Sequence, residues 1–139
     1  MSKRQNILFL CNLNAVRSPM AEYIANNMQL SNLRFYSAGI QNVDELDYFA
    51  AFVMEEIGID IKNHKSKSFM DITQQNFTKI ICLSKDCEIY LDDIAKQLGN
   101  AEIIKWDIQS PADITGSREQ RLQYYRQIRD DILANIKLI

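Results

Sequence analysis

The chain has 139 residues, of which 47% are hydrophobic and 24% are charged, and its formal net charge is −2. This length and composition predict one globular domain over residues 1–139, and the mild acidity gives no electrostatic basis for binding nucleic acid or an anionic membrane. No apolar run approaches the roughly 20 residues that a membrane helix requires. The three cysteines indicate free thiols in a reducing cytoplasm rather than a disulfide framework.

Short apolar runs alternate with helical repeats along the chain. The runs predict buried strands at residues 6–10, 33–37, 79–83 and 102–105. Helices are predicted from Ser18-Pro19, over the apolar stripes 46–57 and 87–98, and from Ser117, which begins a capping-box pattern with Gln120. The order predicts a three-layer α/β fold in which helices cover both faces of a four-stranded parallel sheet with flavodoxin-like order 2-1-3-4.

The loop after the first strand carries the clearest chemical motif, Cys11 followed after five residues by Arg17 and Ser18. Ligands of such folds bind beyond the carboxyl ends of the strands, and a loop that leads into a helix N-terminus can turn its N–H groups toward an anion. The helix dipole and Arg17 favour the thiolate of Cys11, which can attack phosphorus while the guanidinium grips two phosphate oxygens. The candidate phosphate-binding residues are Asn12, Leu13, Asn14, Ala15, Val16 and Arg17. In the alternative interpretation, Cys11 is a small buried apolar residue and Arg17 a surface charge.

Several segments of the chain together resemble the low-molecular-weight protein tyrosine phosphatases and the related thioredoxin-coupled arsenate reductases. The matching segments are residues 9–11 and 17–22, Tyr36-Ser37-Ala38-Gly39, residues 56–60, His64-Lys65-Ser66 and, more weakly, residues 106–111 and the last helix. The resemblance implies that Cys11 is the nucleophile, that Arg17 binds phosphate and that Ser18 stabilises the thiolate. It also implies that Asn14, Ser18, Ser37 and His64 form a polar network that supports the loop. For His64, the single histidine, the alternative is an exposed side chain with no role.

Two loop positions depart from the family pattern. Leu13 stands where the family usually has glycine, which predicts either backbone strain or a narrower site. Val16 stands where the phosphatases usually have a second cysteine, so a neighbouring thiol that could protect Cys11 from over-oxidation is missing.

A larger departure concerns the general acid. The family has Asp-Pro after the fourth strand, and its aspartate protonates the leaving phenolate, whereas this chain has Ser110-Pro111. Asp107 and Asp113 each lie three residues from Ser110, and Asp113 is the candidate for a substitute acid. For each of the two, the favoured interpretation is a solvated loop carboxylate or a capping group. Ala112 stands where an aromatic residue often walls the phosphotyrosine ring, which predicts a shallower pocket.

Cys82 and Cys87 support two interpretations. Their positions on apolar patterns fit buried packing residues. An arsenate reductase instead needs a relay of three thiols, and this chain has three cysteines in the corresponding order, although the last two are closer together than the resemblance implies.

These observations predict a cytoplasmic, cysteine-dependent phosphomonoesterase of the tyrosine phosphatase type that forms a phosphocysteine intermediate. Its expected substrates are phosphorylated proteins or small aryl phosphates, and its expected inhibitors are inorganic phosphate and vanadate. We expect no metal, no organic cofactor and no nucleic-acid or membrane partner. The alternatives are a phosphate-ester-binding module with weak turnover and an arsenate reductase.

Overall fold

Strands and helices alternate in a computed structural model that describes residues 4–40, 45–73 and 75–139, apart from the side chains of Asp86 and Asp113. The elements are β1 (Gln5–Cys11), α1 (Arg17–Asn27), β2 (Leu33–Gly39), α2 (Tyr48–Glu55), β3 (Lys79–Cys82), α3 (Leu91–Gln97), β4 (Glu102–Lys105) and α4 (Arg118–Ile136). Short 3-10 turns lie at Phe69–Ile72, Lys85–Tyr90 and Pro111–Asp113. The strands are parallel and ordered β2-β1-β3-β4, so the predicted sheet and its strand order are confirmed.

The central strand β1 is buried on both faces because its side chains alternate between two apolar clusters. Ile7 and Phe9 pack with residues of α1, α2 and α4, whereas Leu8 and Leu10 pack with residues of α3. This arrangement explains the uninterrupted apolar run in the sequence, and it confirms the three layers. Within the described ranges, no helix is both long and apolar enough to cross a membrane.

The helix boundaries follow local capping chemistry. The capping box predicted at the start of α4 is confirmed, since the Ser117 hydroxyl accepts from the Gln120 N–H and the Gln120 side chain accepts from the Ser117 N–H. Helix α2 begins one residue after Asp47, whose carboxylate accepts from the Phe49 N–H at 2.7 Å.

The third helix begins later than its apolar stripe predicts. Residues 85–90 form a 3-10 turn, and the α-helix starts at Leu91. A disulfide between Cys82 and Cys87 holds this turn against the end of β3, so the prediction that these cysteines are free thiols is wrong. Their predicted burial is confirmed, because both side chains lie in the core under α3, and Cys11 is the free cysteine.

Candidate active site

Cys11 lies at the junction between the end of β1 and the loop that leads into α1. Its side chain is buried, and its sulfur receives two hydrogen bonds. The Asn14 N–H donates to Sγ at 3.3 Å, and the Ser18 hydroxyl lies 2.9 Å from Sγ. Both donors therefore converge on the sulfur where the loop enters α1.

Asn14 determines the direction of the hydrogen bonds that reach the sulfur. Its Oδ1 accepts from the backbone N–H of Lys67 at 2.9 Å, which fixes the orientation of the amide because a backbone N–H can only donate. Its Nδ2 therefore donates to Ser18 Oγ at 2.8 Å, and the Ser18 proton is left to point at Cys11. The predicted link between Asn14 and Ser18 is thus present in the structure, and it extends to Cys11.

His64 completes this network from the segment after α2. Its Nε2 lies 3.1 Å from Asn14 Oδ1, so Nε2 carries the proton and donates to an oxygen that can only accept. Burial, reinforced by the charge of Lys67, lowers the pKa of His64 from 6.5 to about 4. The ring is buried and neutral near pH 7, and the alternative of an exposed histidine with no role is wrong.

The structure also brings in residues that the motif does not reveal. The Ser66 hydroxyl donates to the Asn14 carbonyl at 2.7 Å, and the Asp47 N–H donates to the Ala15 carbonyl at 3.0 Å. Asn14 itself has a φ of 55°, in the left-handed region that asparagine tolerates better than most residues. The loop conformation is therefore held by segments far away in sequence, and only the asparagine at its turn gives a local signal.

Ser37 lies beside this network rather than within it. Its hydroxyl donates to Oε1 of Glu22 on α1 and not to Asn14, which corrects the predicted arrangement. Burial raises the pKa of the Glu22 carboxyl, while the hydrogen bond from Ser37 and the charge of Lys67 oppose that shift. Ser37 and Glu22 tie β2 to α1, so their support of the loop is indirect.

Arg17 is buried and anchored by main-chain oxygens. Its Nη1 donates to the carbonyls of Leu83, just after β3, and Ile108, in the loop after β4, at 3.3 Å each. The alternative of a surface charge is wrong. These two carbonyls fix the guanidinium beside the loop, where a phosphate oxygen could be gripped without further ordering of the side chain.

The loop encloses a pocket of about 110 Å³ whose lining combines Cys11 with unpaired main-chain donors. Within the described part of the chain, the backbone N–H groups of Leu13, Ala15 and Val16 have no hydrogen-bond partner. The lining residues are Cys11, Asn12, Leu13, Ala15, Val16, Arg17, Ser110, Pro111 and Ala112. A site of this size, donor content and charge suits a tetrahedral oxyanion.

Leu13 lies at the rim of this pocket with its side chain exposed. The residue with positive φ in the loop is Asn14 and not Leu13, so the predicted strain at Leu13 is absent, and a narrower site stays a prediction.

The loop after β4 covers the other side of the pocket. Ser110 and Ala112 line it as the family resemblance implies, and the Ser110 hydroxyl accepts from the Ala112 N–H at 3.2 Å. Asp107 is exposed nearby. Asp113 ends the 3-10 turn of this loop, and its side chain lies outside the described part of the structure, so its catalytic assignment stays a prediction.

Comparisons with known proteins agree with this fold and loop. The family model for low molecular weight phosphotyrosine protein phosphatase matches residues 6–138. Arsenate reductases are similar in sequence: that of Shouchella clausii is 31% identical over 137 residues, covering 99% of this chain and 95% of the relative. The arsenate reductase of Bacillus subtilis is 30% identical over 131 residues, covering 94% and 91% respectively.

Solved structures show the same fold. The low molecular weight protein tyrosine phosphatase from T. tengcongensis superposes with a TM-score of 0.78 at 22% identity, covering 96% of this chain and 95% of that one. The parallel sheet and the loop between β1 and α1 therefore define a phosphatase-type α/β domain. The chain belongs to the low molecular weight phosphotyrosine protein phosphatase family.

Proposed function

We propose that this protein is a cysteine-dependent phosphomonoesterase that acts through a phosphocysteine intermediate. The observation that carries the proposal is the hydrogen-bonding of Cys11, whose buried sulfur faces the donors of Asn14 and Ser18 at the floor of an anion-sized pocket. Arg17 lines the same pocket, where its charge favours a bound phosphate.

The reaction proceeds by two displacements at phosphorus. The Cys11 thiolate attacks, the bond from phosphorus to the ester oxygen breaks, and the electron pair leaves with that oxygen. Water then attacks the phosphocysteine, the phosphorus–sulfur bond breaks, and the thiolate returns to the hydrogen bonds from Ser18 and Asn14. Arg17 and the loop N–H groups follow the negative charge on the three non-bridging oxygens through both steps.

The substrates expected from this arrangement are phosphorylated proteins or small aryl phosphates, and the expected inhibitors are inorganic phosphate and vanadate. Support comes from the family match and from the donors around the pocket. Phosphate and vanadate should protect Cys11 from alkylation by iodoacetate, because both would fill the pocket in front of the sulfur.

The decisive experiment compares the wild type with Cys11→Ser. The wild type should hydrolyse p-nitrophenyl phosphate, whereas Cys11→Ser should lose turnover and still bind phosphate by calorimetry, because Arg17 and the loop N–H groups remain. Equal turnover by the two proteins would refute the mechanism. Phosphate binding without turnover by the wild type would identify the chain as a binding module instead.

A second candidate function, arsenate reduction, is favoured by the Cys82–Cys87 disulfide and by the names of the sequence relatives. In that reaction the three cysteines begin as thiols and Cys11 forms a bond to arsenic with loss of water. Cys82 then attacks the Cys11 sulfur, so that a Cys11–Cys82 disulfide forms and arsenite leaves with the electron pair of the sulfur–arsenic bond. Cys87 attacks Cys82, which forms the Cys82–Cys87 disulfide and releases the Cys11 thiolate. A dithiol protein such as thioredoxin would then restore both thiols.

The geometry explains why this function comes second. Cys82 points into the core under α3, whereas Cys11 belongs to the cluster on the other face of the sheet. The relay therefore requires the end of β3 to rearrange. Two results together would establish both activities. Cys87→Ser should lose thioredoxin-coupled arsenate reduction, and of the two variants only Cys11→Ser should lose p-nitrophenyl phosphate turnover.

A further inference from the structure

A cavity of about 300 Å³ lies on the face of the sheet that packs against α4, away from the candidate active site. Its floor consists of Ile7, Ile81 and Ile104, one isoleucine from each of β1, β3 and β4. Within the described part of the chain, the cavity shares no lining residue with the pocket around Cys11. It is therefore separate from that pocket, and its ligand does not have to be a phosphate ester.

The cavity exists because α4 does not cover this face completely. The helix packs mainly against α1 and α2, and over β3 and β4 the outer wall comes from its last turn and the residues that follow it. Two of these wall residues, Leu138 and Ile139, are apolar but 86% and 45% exposed. An apolar ligand in the cavity would cover this surface, which favours binding.

Lys79 is the charged residue among the described groups that line this cavity. It begins β3 and lies on the same face as Ile81, because alternate residues of a strand share a face. Lys79 is half-buried, and among the described side chains none forms an ion pair with it, including Glu102, its partner in the register of β4. The amide of Asn135 on α4 adds a second hydrogen-bond donor. These groups favour an anionic head over a cationic one.

The volume of the cavity limits the length of its ligand. A water molecule takes roughly 30 Å³ in the liquid, and a methylene group is of similar size, so a cavity of about 300 Å³ holds roughly ten non-hydrogen atoms. Octanoate, with eight carbons and two oxygens, meets this limit and carries an anionic head. The isoleucines of the floor can contact such an alkyl chain along its length.

We propose that this cavity is a binding site for medium-chain aliphatic carboxylates, with the alkyl chain over the isoleucines and the carboxylate paired with the Lys79 ammonium. Binding is reversible, and no covalent bond forms or breaks. The site goes beyond the proposed phosphomonoesterase function and does not depend on it, because the cavity and the pocket around Cys11 are separate.

Trp106 supplies the measurement, because it is the single tryptophan of the chain and it lines the cavity. It packs against Phe9 with the ring centroids 5.7 Å apart, so its surroundings are defined in the folded protein. Octanoate should shift the Trp106 emission to shorter wavelength with a Kd of about 1 mM or lower, and calorimetry should give the same Kd. Butyrate should bind at least about 100-fold more weakly, because each buried methylene contributes roughly a fourfold gain.

The role of the charge is tested with octanamide, the neutral analogue of octanoate. The wild type should bind octanoate about tenfold more tightly than octanamide, the effect of one charge-assisted contact. Lys79→Gln should abolish this preference and still bind octanamide. Lys96→Gln, at an exposed lysine of α3 on the other face of the sheet, is the matched control and should retain the preference. Cys11→Ser should bind octanoate as the wild type does.

Three results would each overturn the inference. The first is the absence of both a fluorescence change and a heat of binding with octanoate at about 10 mM; if the chain also sediments as a dimer, a second copy covers Leu138 and Ile139 instead. The second is equal binding of butyrate and octanoate, which would indicate an ion pair at the surface and no use of the cavity. The third is the same preference for octanoate over octanamide in Lys79→Gln as in the wild type.

Discussion

Asn14 is the residue on which the direction of the active-site hydrogen bonds depends. It is fully buried, and its amide accepts from Lys67 and His64 while it donates to Ser18. Because the oxygen of the amide is fixed by a backbone donor, the chain of donors runs from Asn14 through Ser18 to Cys11. The Cys11 sulfur is therefore linked through Ser18 to the Asn14 amide, which does not contact the sulfur directly.

The substitution Asn14→Asp tests this direction with almost no change of shape. A carboxylate would still accept from Lys67 and His64 but could not donate to Ser18, so the serine proton would turn away from the sulfur. Turnover of p-nitrophenyl phosphate should fall by about 10- to 100-fold, the value of one hydrogen bond to a charged group. Asn100→Asp, at another residue with positive φ, is the control and should leave turnover unchanged. Equal effects of the two substitutions would contradict the assigned direction.

His64 makes the stability of the fold depend on pH. Its pKa in the folded protein is about 4, below the ordinary value of 6.5, so the unfolded chain binds more protons between these values. The contribution of neutral His64 is complete above about pH 6.5 and is lost as the pH falls toward 4. After allowance for solvent screening, the loss should be about 1–2 kcal/mol.

Urea unfolding at pH 7 and pH 4.5 measures this effect. The fall in the unfolding free energy between the two values should be smaller in His64→Gln than in the wild type, because glutamine does not titrate. The variant must be compared with the wild type because Glu22 also titrates in this range. Its pKa is raised, so its contribution to the unfolding free energy grows as the pH falls, opposite to that of His64. Identical pH dependences would show that His64 is not the group responsible.

At this scale the sequence predicts the candidate residues for phosphate chemistry but not all of the groups that hold those residues in place. Cys11, Arg17 and Ser18 are close in sequence, and their chemistry restricts their roles. The groups that hold them come from distant segments. They are the Ser66 hydroxyl, the Lys67 N–H and the carbonyls of Leu83 and Ile108. Such contacts depend on how the loops fold over one another, and no local pattern encodes them.

Among the elements, the turn between β3 and α3 differs most from its prediction. The strands were predictable because apolar runs in a sheet that is covered on both faces are uninterrupted, as in β1 and β3. The stripe 87–98 also has the period of a helix, but the disulfide tightens its first residues into a 3-10 turn. Three cysteines in a sequence do not reveal that two of them lie within bonding distance.

This disulfide should contribute to stability more than to turnover. Closing so short a loop restricts the unfolded chain by about 2 kcal/mol. The double substitution Cys82→Ala with Cys87→Ala should lower the unfolding free energy by at least that amount, since both side chains are also buried in the core. Aryl phosphate turnover should be largely retained because Leu83, which anchors Arg17, is held in place by its N–H bond to Leu10 of β1.

Calorimetric and kinetic measurements on the double variant and on the reduced wild type check this expectation. Reduction of the wild type should lower its unfolding free energy by about 2 kcal/mol, less than the double substitution does because both side chains stay in the core, and the variant itself should not respond to the reductant. A loss of turnover by more than about tenfold in the variant, at a temperature where it remains folded, would show that the disulfide positions Arg17.

For the molecule as a whole, the candidate active site is assembled at the edge of the sheet where the strands have their carboxyl ends. The carboxyl ends of β1, β3 and β4 bring together Cys11, the carbonyl of Leu83 and the loop of Ile108 and Ser110. Parallel topology predicts this meeting point from the order of the elements alone. The sequence cannot predict which carboxylate, if any, reaches the leaving group, because that depends on the path of the loop after β4.

The last prediction concerns this loop and the missing acid. With Ser110 at the acid position, log kcat/KM should fall steeply as the leaving group becomes more basic, because p-nitrophenolate departs unprotonated whereas phosphotyrosine and alkyl phosphates need a proton. Ser110→Asp should flatten the plot and accelerate phosphotyrosine cleavage by about 10²- to 10⁴-fold, the usual value of general acid catalysis. The fold should tolerate the change, since aspartate caps a turn as well as serine and Ser110 already caps Ala112. A flat wild-type plot would mean that another group supplies the proton. Asp107→Asn and Asp113→Asn would then identify that group, because only the loss of the true acid makes the slope steeper.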